Sequence, residues 1–296
     1  MVSIARRLSA ALAAALSVAT VAACSPQQAP EPPPSPARPL VWQDEFDGAA
    51  GTAPDVRHWN HDTGGDGWGN QELQDYAPPG RNARLDGAGH LVITAEKIAP
   101  GKAAERGGNA TCWYGPCTYR SARLTTLHKV TVQEGRVEAR MKVPRGKGLW
   151  SAFWLMGDDF DTVGHPASGE IDVTEVLGHE PNVTWASVHG PGYVRAGLTK
   201  GYSPPNDAAL SDDFHTYTVE WIKQGLTFSV DGHEYYSVAR TDIGEGRRWV
   251  FDKPFFLILN VAVGGEWPGA PDDSVLPSTL VVDSVRVFGK AAPDDK

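Results

Sequence analysis

Period-two alternation recurs along this chain, whereas the three-to-four-residue spacing of an amphipathic helix is scarce. The stretch Gly135–Val143 alternates cleanly. Val137, Ala139 and Met141 face one way, and Arg136, Glu138, Arg140 and Lys142 face the other. His90–Glu96 alternates in part. Phe214–Trp221 and Leu226–Val230 are separated by Ile222–Gly225, as in a hairpin. Asp231-Gly232 marks the next turn. Phe255–Val263 is nearly all apolar and is predicted to be buried on both faces, and Leu280–Val287 closes the pattern. About a dozen strands joined by Gly-, Pro- and Asp-rich loops predict an all-β fold, a sandwich or jelly roll of two stacked antiparallel sheets. The 32 Gly and 23 Pro fit so many turns.

One predicted strand carries chemistry. Gly169-Glu170-Ile171-Asp172-Val173-Thr174-Glu175 sets three carboxylates among β-branched residues. Alternation sends Glu170 and Asp172 to one face and leaves Glu175 out of phase by one residue. A single β-bulge at Val173-Thr174 would return Glu175 to that face. Two Glu on one face, with an Asp between them, suit a retaining glycoside hydrolase: one carboxylate attacks the sugar and the other protonates the leaving oxygen. The alternative is an acidic, solvated strand face, which an isolated E-x-D would favour.

The surroundings fit a sugar. Trp150 and Trp154 lie four residues apart in Gly148–Met156 and so share a strand face. An indole packs on the C–H face of a sugar ring, while polar groups at the rim take its hydroxyls; core packing of one Trp is the alternative. Trp68–Asp75 is a Gly-flanked loop dense in amides and acids, which can donate and accept at once. Asn260 is a lone amide within an apolar strand and needs a hydrogen-bond partner there or in a cleft. His189 lies on the strand after the carboxylates, where it would orient Asp172, touch substrate, or serve a structural role.

The N-terminus reads as a targeting segment. Arg6 and Arg7 precede the apolar run Leu8–Ala23, which is too short and weakly flanked for a membrane span. Val21-Ala22-Ala23-Cys24 resembles a bacterial lipobox, which implies cleavage before Cys24 and acylation of its thiol. Ordinary signal-peptidase cleavage nearby is the alternative. The Pro-rich residues 24–39 read as a tether, residues 40–290 as one large domain, and residues 291–296 as a tail. The expected location is extracytoplasmic, either lipid-anchored or secreted, with the lipid as the only membrane contact. Cys112 and Cys117 enclose a turn sequence, and outside the cytoplasm they are expected to form a disulfide. Two Cys without further ligands fall short of a zinc set. Net charge is −9, and loss of the two Arg with residues 1–23 would take it to −11. Nucleic acid is therefore excluded as a partner, and a neutral polymer fits better.

Taken in order, several motifs resemble glycoside hydrolase family 16, and most closely its bacterial endo-β-1,3-glucanases. They are Trp42–Asp47, Trp68–Glu72, Tyr119–Leu124, Gly135–Arg140, Gly148–Trp154, the acidic motif, and Leu257–Gly269. The resemblance implies a jelly roll with a concave substrate cleft and a β-glucan substrate. It implies Glu170 as nucleophile, Asp172 as its helper and Glu175 as acid/base. It places Asn70, Arg123, Trp150, Trp154, His189, Asn260 and Trp267 along the cleft. It implies no catalytic cofactor but a structural calcium, held by backbone oxygens near Glu45 and Gly89 and by the side chain of Asp283. Asp283 stands in an apolar strand, where a buried carboxylate needs a counter-charge; a hydrogen-bonded or exposed edge Asp is the alternative. A monomer is expected. The alternatives are a mixed-linkage β-glucanase or galactan hydrolase of the same family, or a non-catalytic glucan-binding protein.

Overall fold

The computed structural model describes residues 38–102, 111–194 and 198–290. The targeting segment, Cys24, most of the tether and the tail lie outside the described residues. Two stacked β-sheets carry nearly all the regular structure. Among the described residues helix is confined to Phe160–Val163 and short 3-10 turns, and none of it is long and apolar enough to cross a membrane.

The first sheet runs in the order Thr199–Tyr202, Thr184–His189, Glu170–Leu177, Leu149–Gly157, Phe255–Val263, Arg123–Thr125, Asn60–Asp62. The second is built on Gly135–Lys142 and Ser278–Phe288, flanked by the hairpin strands His215–Ile222 and Gly225–Val230 on one side and Leu91–Lys97 on the other. The predicted hairpin closes through Ile222 opposite Gly225. Pairing is antiparallel except between Gln74–Tyr76 and Tyr119–Ser121, a parallel contact that local alternation does not encode.

Inward residues of both sheets form one core. Phe153, Leu155, Ile171 and Val173 from the first sheet and Val137, Ala139, Met141 and Val282 from the second belong to the same buried cluster. Every residue of Phe255–Val263 is buried, as its continuous apolar run predicts. The core-facing half of each strand fixes register, because a one-residue slip would send every apolar side chain to the wrong face. Register in turn fixes which residues line the outer face of the first sheet.

Asp283 follows the more exposed of its two readings. It is half-buried rather than buried, because a register shift occurs at this point in the Ser278–Phe288 strand. Its carboxylate lies 3.2 Å from Arg140 and 3.7 Å from His90 Nε2, so a guanidinium and an imidazole already face it. The Glu45 side chain forms a forked pair with Arg286 at 2.7 and 2.9 Å. Its main-chain oxygen lies 4.0 Å from where a Cβ on Gly89 would stand.

Candidate active site

The carboxylate strand carries one extra residue against both neighbours. Thr174 stands opposite Phe153 and Asp172 opposite Trp154, which leaves Val173 unpaired. On the other side Asp172 faces Ser187 and Glu175 faces Trp185. The bulge therefore restores phase. Glu170, Asp172 and Glu175 stand opposite Met156, Trp154 and Ala152, alternate residues on the outer face. Thr174 turns inward and is buried, its hydroxyl 2.6 Å from that of Thr184.

The three acids differ in environment. Burial pushes Glu175 well above the usual carboxylate range, and the charges of Asp172 and Glu170 push it the same way; His189 and the Trp150 indole N–H only partly oppose them. Burial and the Glu170 charge also raise Asp172 well above its ordinary value. Burial would raise Glu170 too, but a hydrogen bond from His165, the charges of His189 and His165, and a hydrogen bond from Asp172 outweigh it and leave Glu170 lowered. The surroundings therefore favour the protonated form at Glu175 and Asp172 and the ionised form at Glu170. His189 stands opposite Glu170 in the ladder, with Nε2 3.1 Å from Asp172 Oδ2 and 4.0 Å from Glu170 Oε1.

Aromatic residues bracket the acids. Trp150 and Trp154 share the outer face, and neither belongs to the core between the sheets. The Trp267 ring meets Trp150 at 5.1 Å and Trp185 at 6.3 Å. On the other side the Arg123 guanidinium lies 4.7 Å from the Trp154 ring and 4.9 Å from the Trp68 ring, with Asp62 2.9 Å from its Nε. Asn260 accepts from Trp154 Nε1 at 2.7 Å and donates to the Tyr76 hydroxyl at 3.1 Å. Tyr76 in turn donates to Glu72 Oε2 at 3.3 Å, and Gln74 donates to the same oxygen at 2.6 Å. Burial lifts Glu72 to about 7 against these bonds.

The Trp68–Asp75 segment is docked rather than freely solvated. Leu73 N donates to Val263 O at 2.8 Å, and Val263 N donates to Gln74 Oε1 at 2.7 Å. Gly264, with φ +69°, lets Leu73 approach, since a Cβ there would lie 2.6 Å from its side chain. The dock brings Asn70 against Gly265, and Glu266 N donates to Asn70 O at 2.9 Å. Asn70 Nδ2 is buried without a protein hydrogen-bond partner. Cys112 and Cys117 are disulfide-bonded, and Trp113 of that turn donates to Glu72 O at 2.7 Å.

All ten residues expected at the catalytic and sugar-binding positions lie on this face or in the loops docked against it. Sequence reasoning missed Trp185, Ser187, Tyr76, Glu72 and His165. Trp185 and Ser187 were readable, because they alternate with His189 along one strand. Tyr76, Glu72 and His165 reach the site through loop packing.

Comparison with known proteins places this geometry. Residues 79–281 match the profile described as Glycosyl hydrolases family 16. The chain is 39% identical over 259 residues to the beta-glucanase of Rhodothermus marinus, covering 84% of each chain. It superimposes on the laminarinase catalytic domain of Thermotoga maritima with a TM-score of 0.76 at 38% identity, covering 86% of this chain and 99% of that one. The endo-beta-1,3-glucanase of Pyrococcus furiosus gives a TM-score of 0.76 at 40% identity, with 84% and 94% covered. Profile, sequence and fold agree with the bulged strand and its three acids: the chain is a glycoside hydrolase and belongs to family 16.

Proposed function

We propose that this enzyme cleaves internal β-1,3-glucosidic bonds of laminarin-type β-glucans, with net retention at the anomeric carbon. One observation carries the mechanism: the bulge puts Glu170, Asp172 and Glu175 on one face, and their surroundings lower Glu170 while burial raises Glu175. A glycosidic oxygen is a poor leaving group and needs a proton as its bond breaks; Glu175 supplies it. The anomeric carbon then gains cationic character, and the Glu170 carboxylate traps it covalently. Deprotonated Glu175 next activates water, which releases the sugar and restores both groups. Asp172 steers Glu170 by its hydrogen bond. The indoles of Trp150, Trp154 and Trp267 provide stacking faces for sugar rings, and Arg123, Asn70 and Asn260 provide polar contacts. The β-1,3 linkage rests on the laminarinases and endo-β-1,3-glucanase among the relatives.

The test is product analysis on laminarin, mixed-linkage β-glucan and galactan, with the first-formed anomer read by NMR. Internal β-1,3 cleavage with a β-anomer first is expected. Preferential cleavage of mixed-linkage glucan or galactan would move the assignment within the family. An α-anomer first would overturn the mechanism, and binding without release of reducing ends would leave a glucan-binding protein.

The protein acts as an extracytoplasmic monomer under this proposal, anchored through acylated Cys24. The Val-Ala-Ala-Cys junction before a Pro-rich stretch motivates it. Cys24→Ser should move the protein from the membrane fraction to the medium, and an unchanged fractionation would count against the anchor. A calcium ion is also proposed on the second sheet. The Glu45 main-chain oxygen, the Gly89 backbone and the Asp283 carboxylate would be its oxygen donors, with Arg140 displaced from Asp283 to admit the ion. Its role there is structural.

A further inference from the structure

Gly169 leads directly into Glu170, and the segment before it is held at several points. Lys253 Nζ donates to both carboxylate oxygens of Asp159, at 2.7 and 2.6 Å, and to Ala167 O at 3.2 Å, so one ammonium joins the two ends of the loop. Gly164 N bonds Phe160 O at 2.8 Å, Ser168 N bonds Gly164 O at 2.8 Å, and Gly169 N bonds Pro166 O at 3.1 Å. Gly169 has φ +75°, and a Cβ there would lie 2.7 Å from Val250 and 3.0 Å from Phe255. Glycine therefore sets how the loop enters the strand. The result of this bracing is His165, whose Nε2 lies 3.2 Å from Glu170 Oε2. His189 approaches the other oxygen of the same carboxylate.

We propose that His165 is a positioning residue for the nucleophile, a second imidazole that clamps Glu170 Oε2 while the Asp172–His189 pair governs the opposite side. The inference deepens the proposed reaction and rests on Glu170 being the nucleophile. A carboxylate must keep one oxygen aimed at the anomeric carbon and must later be expelled from the ester. A donor on the other oxygen serves both demands, because it fixes the rotamer and stabilises the anion as it leaves. The groups facing Glu170 are His165 from the loop, His189 from the adjacent strand and Asp172 from its own strand. The remaining charged groups of the loop are engaged elsewhere: Asp159 by Lys253, and Asp161 by His128 at 3.0 Å.

The test uses the full enzyme and the variants His165→Leu, His165→Gln and Lys253→Met. Two readouts are taken: kcat/KM against pH, and the titration of the Glu170 carboxyl carbon by 13C NMR in resting protein. In His165→Leu burial is opposed by fewer donors, so the Glu170 titration and the acid limb should both move up, by roughly half to one pH unit. Well below the wild-type midpoint, activity should then fall by about three- to tenfold relative to the plateau. KM should hold. His165→Gln keeps an N–H donor and should recover part of the shift. Lys253→Met loosens the loop without removing the imidazole and should give an intermediate shift. A uniform loss across pH with an unmoved Glu170 titration would overturn the proposal. Because the NMR readout needs no turnover, wild-type inactivity on glucans would sink the proposed function without deciding the role of His165.

Discussion

The hydroxyls of Thr174 and Thr184 meet at 2.6 Å in the buried layer beneath the acids, where the carboxylate strand carries its extra residue. This contact ties the bulge to the neighbouring strand. Thr174→Val keeps the volume but leaves the Thr184 hydroxyl unpaired in a buried site, at a cost of about 1–3 kcal/mol. A lower melting temperature and a kcat reduced by about tenfold are expected, the latter from misaligned Glu175. The double variant Thr174→Val/Thr184→Val should regain stability without regaining kcat. Recovery of both would show that the contact only stabilises.

Chemical rescue separates the two Glu roles. Azide should restore Glu175→Ala on a substrate with an activated leaving group and yield a β-glycosyl azide, since Glu170 still forms the covalent intermediate. Glu170→Ala should instead give the α-azide. Exchanged stereochemistry would reverse the assignment.

Glu175 makes catalysis and stability pull in opposite directions. Its folded pKa is raised, so protons bind more tightly in the folded state. Its stabilising contribution is complete below the unfolded value of about 4.3 and is lost as pH rises towards the folded value. Glu175→Gln should therefore melt at a higher temperature than wild type at pH 8, with a smaller difference at pH 4. It should be nearly inactive on laminarin at both. A pH-independent difference in melting would contradict the buried protonated acid.

The same sign applies to Glu72, which titrates at about 7 against an ordinary 4.5. Ionisation between pH 6 and 8 places a charge beside Tyr76 in the chain that runs through Asn260 to Trp154. Glu72→Gln should gain stability relative to wild type as pH rises from about 4.5 to about 7, on the order of 3 kcal/mol at the alkaline limit. Urea unfolding at pH 5.5 and 8.5 measures it, and equal differences at the two pH values would refute the shifted titration.

Calcium binding to the folded state alone raises apparent stability by mass action. Chelation should lower the melting temperature of wild type and leave Asp283→Ala unresponsive, while laminarin turnover by the still-folded enzyme stays unchanged. A wild-type melt indifferent to chelator would remove calcium from the description.

The acids were legible because strand alternation and one bulge are local rules, and both act within Glu170–Glu175. The long strands were legible for the same reason: Phe255–Val263 was read at its true limits. Strands of two or three residues, such as Asn60–Asp62 and Gln74–Tyr76, are too short for a period to appear. Their pairing is set by distant partners. His165 illustrates the other limit, since its contact with Glu170 depends on Lys253, many residues away. Whether Asp283 is buried or half-exposed stayed open in the sequence, because its strand shifts register where the side chain emerges, and composition carries no sign of that.

The outermost strands of the domain lie side by side. Leu40 pairs with Phe288, and Gly289 N donates to Pro39 O at 2.8 Å. Both belong to the sheet that does not carry the acids. A short peptide could splice residue 39 to residue 289, and new ends could be opened in an exposed turn such as Lys223-Gln224. A circularly permuted enzyme of this kind would keep its groove intact. Modules joined at residues 39 and 289 would leave from the sheet that does not carry the acids.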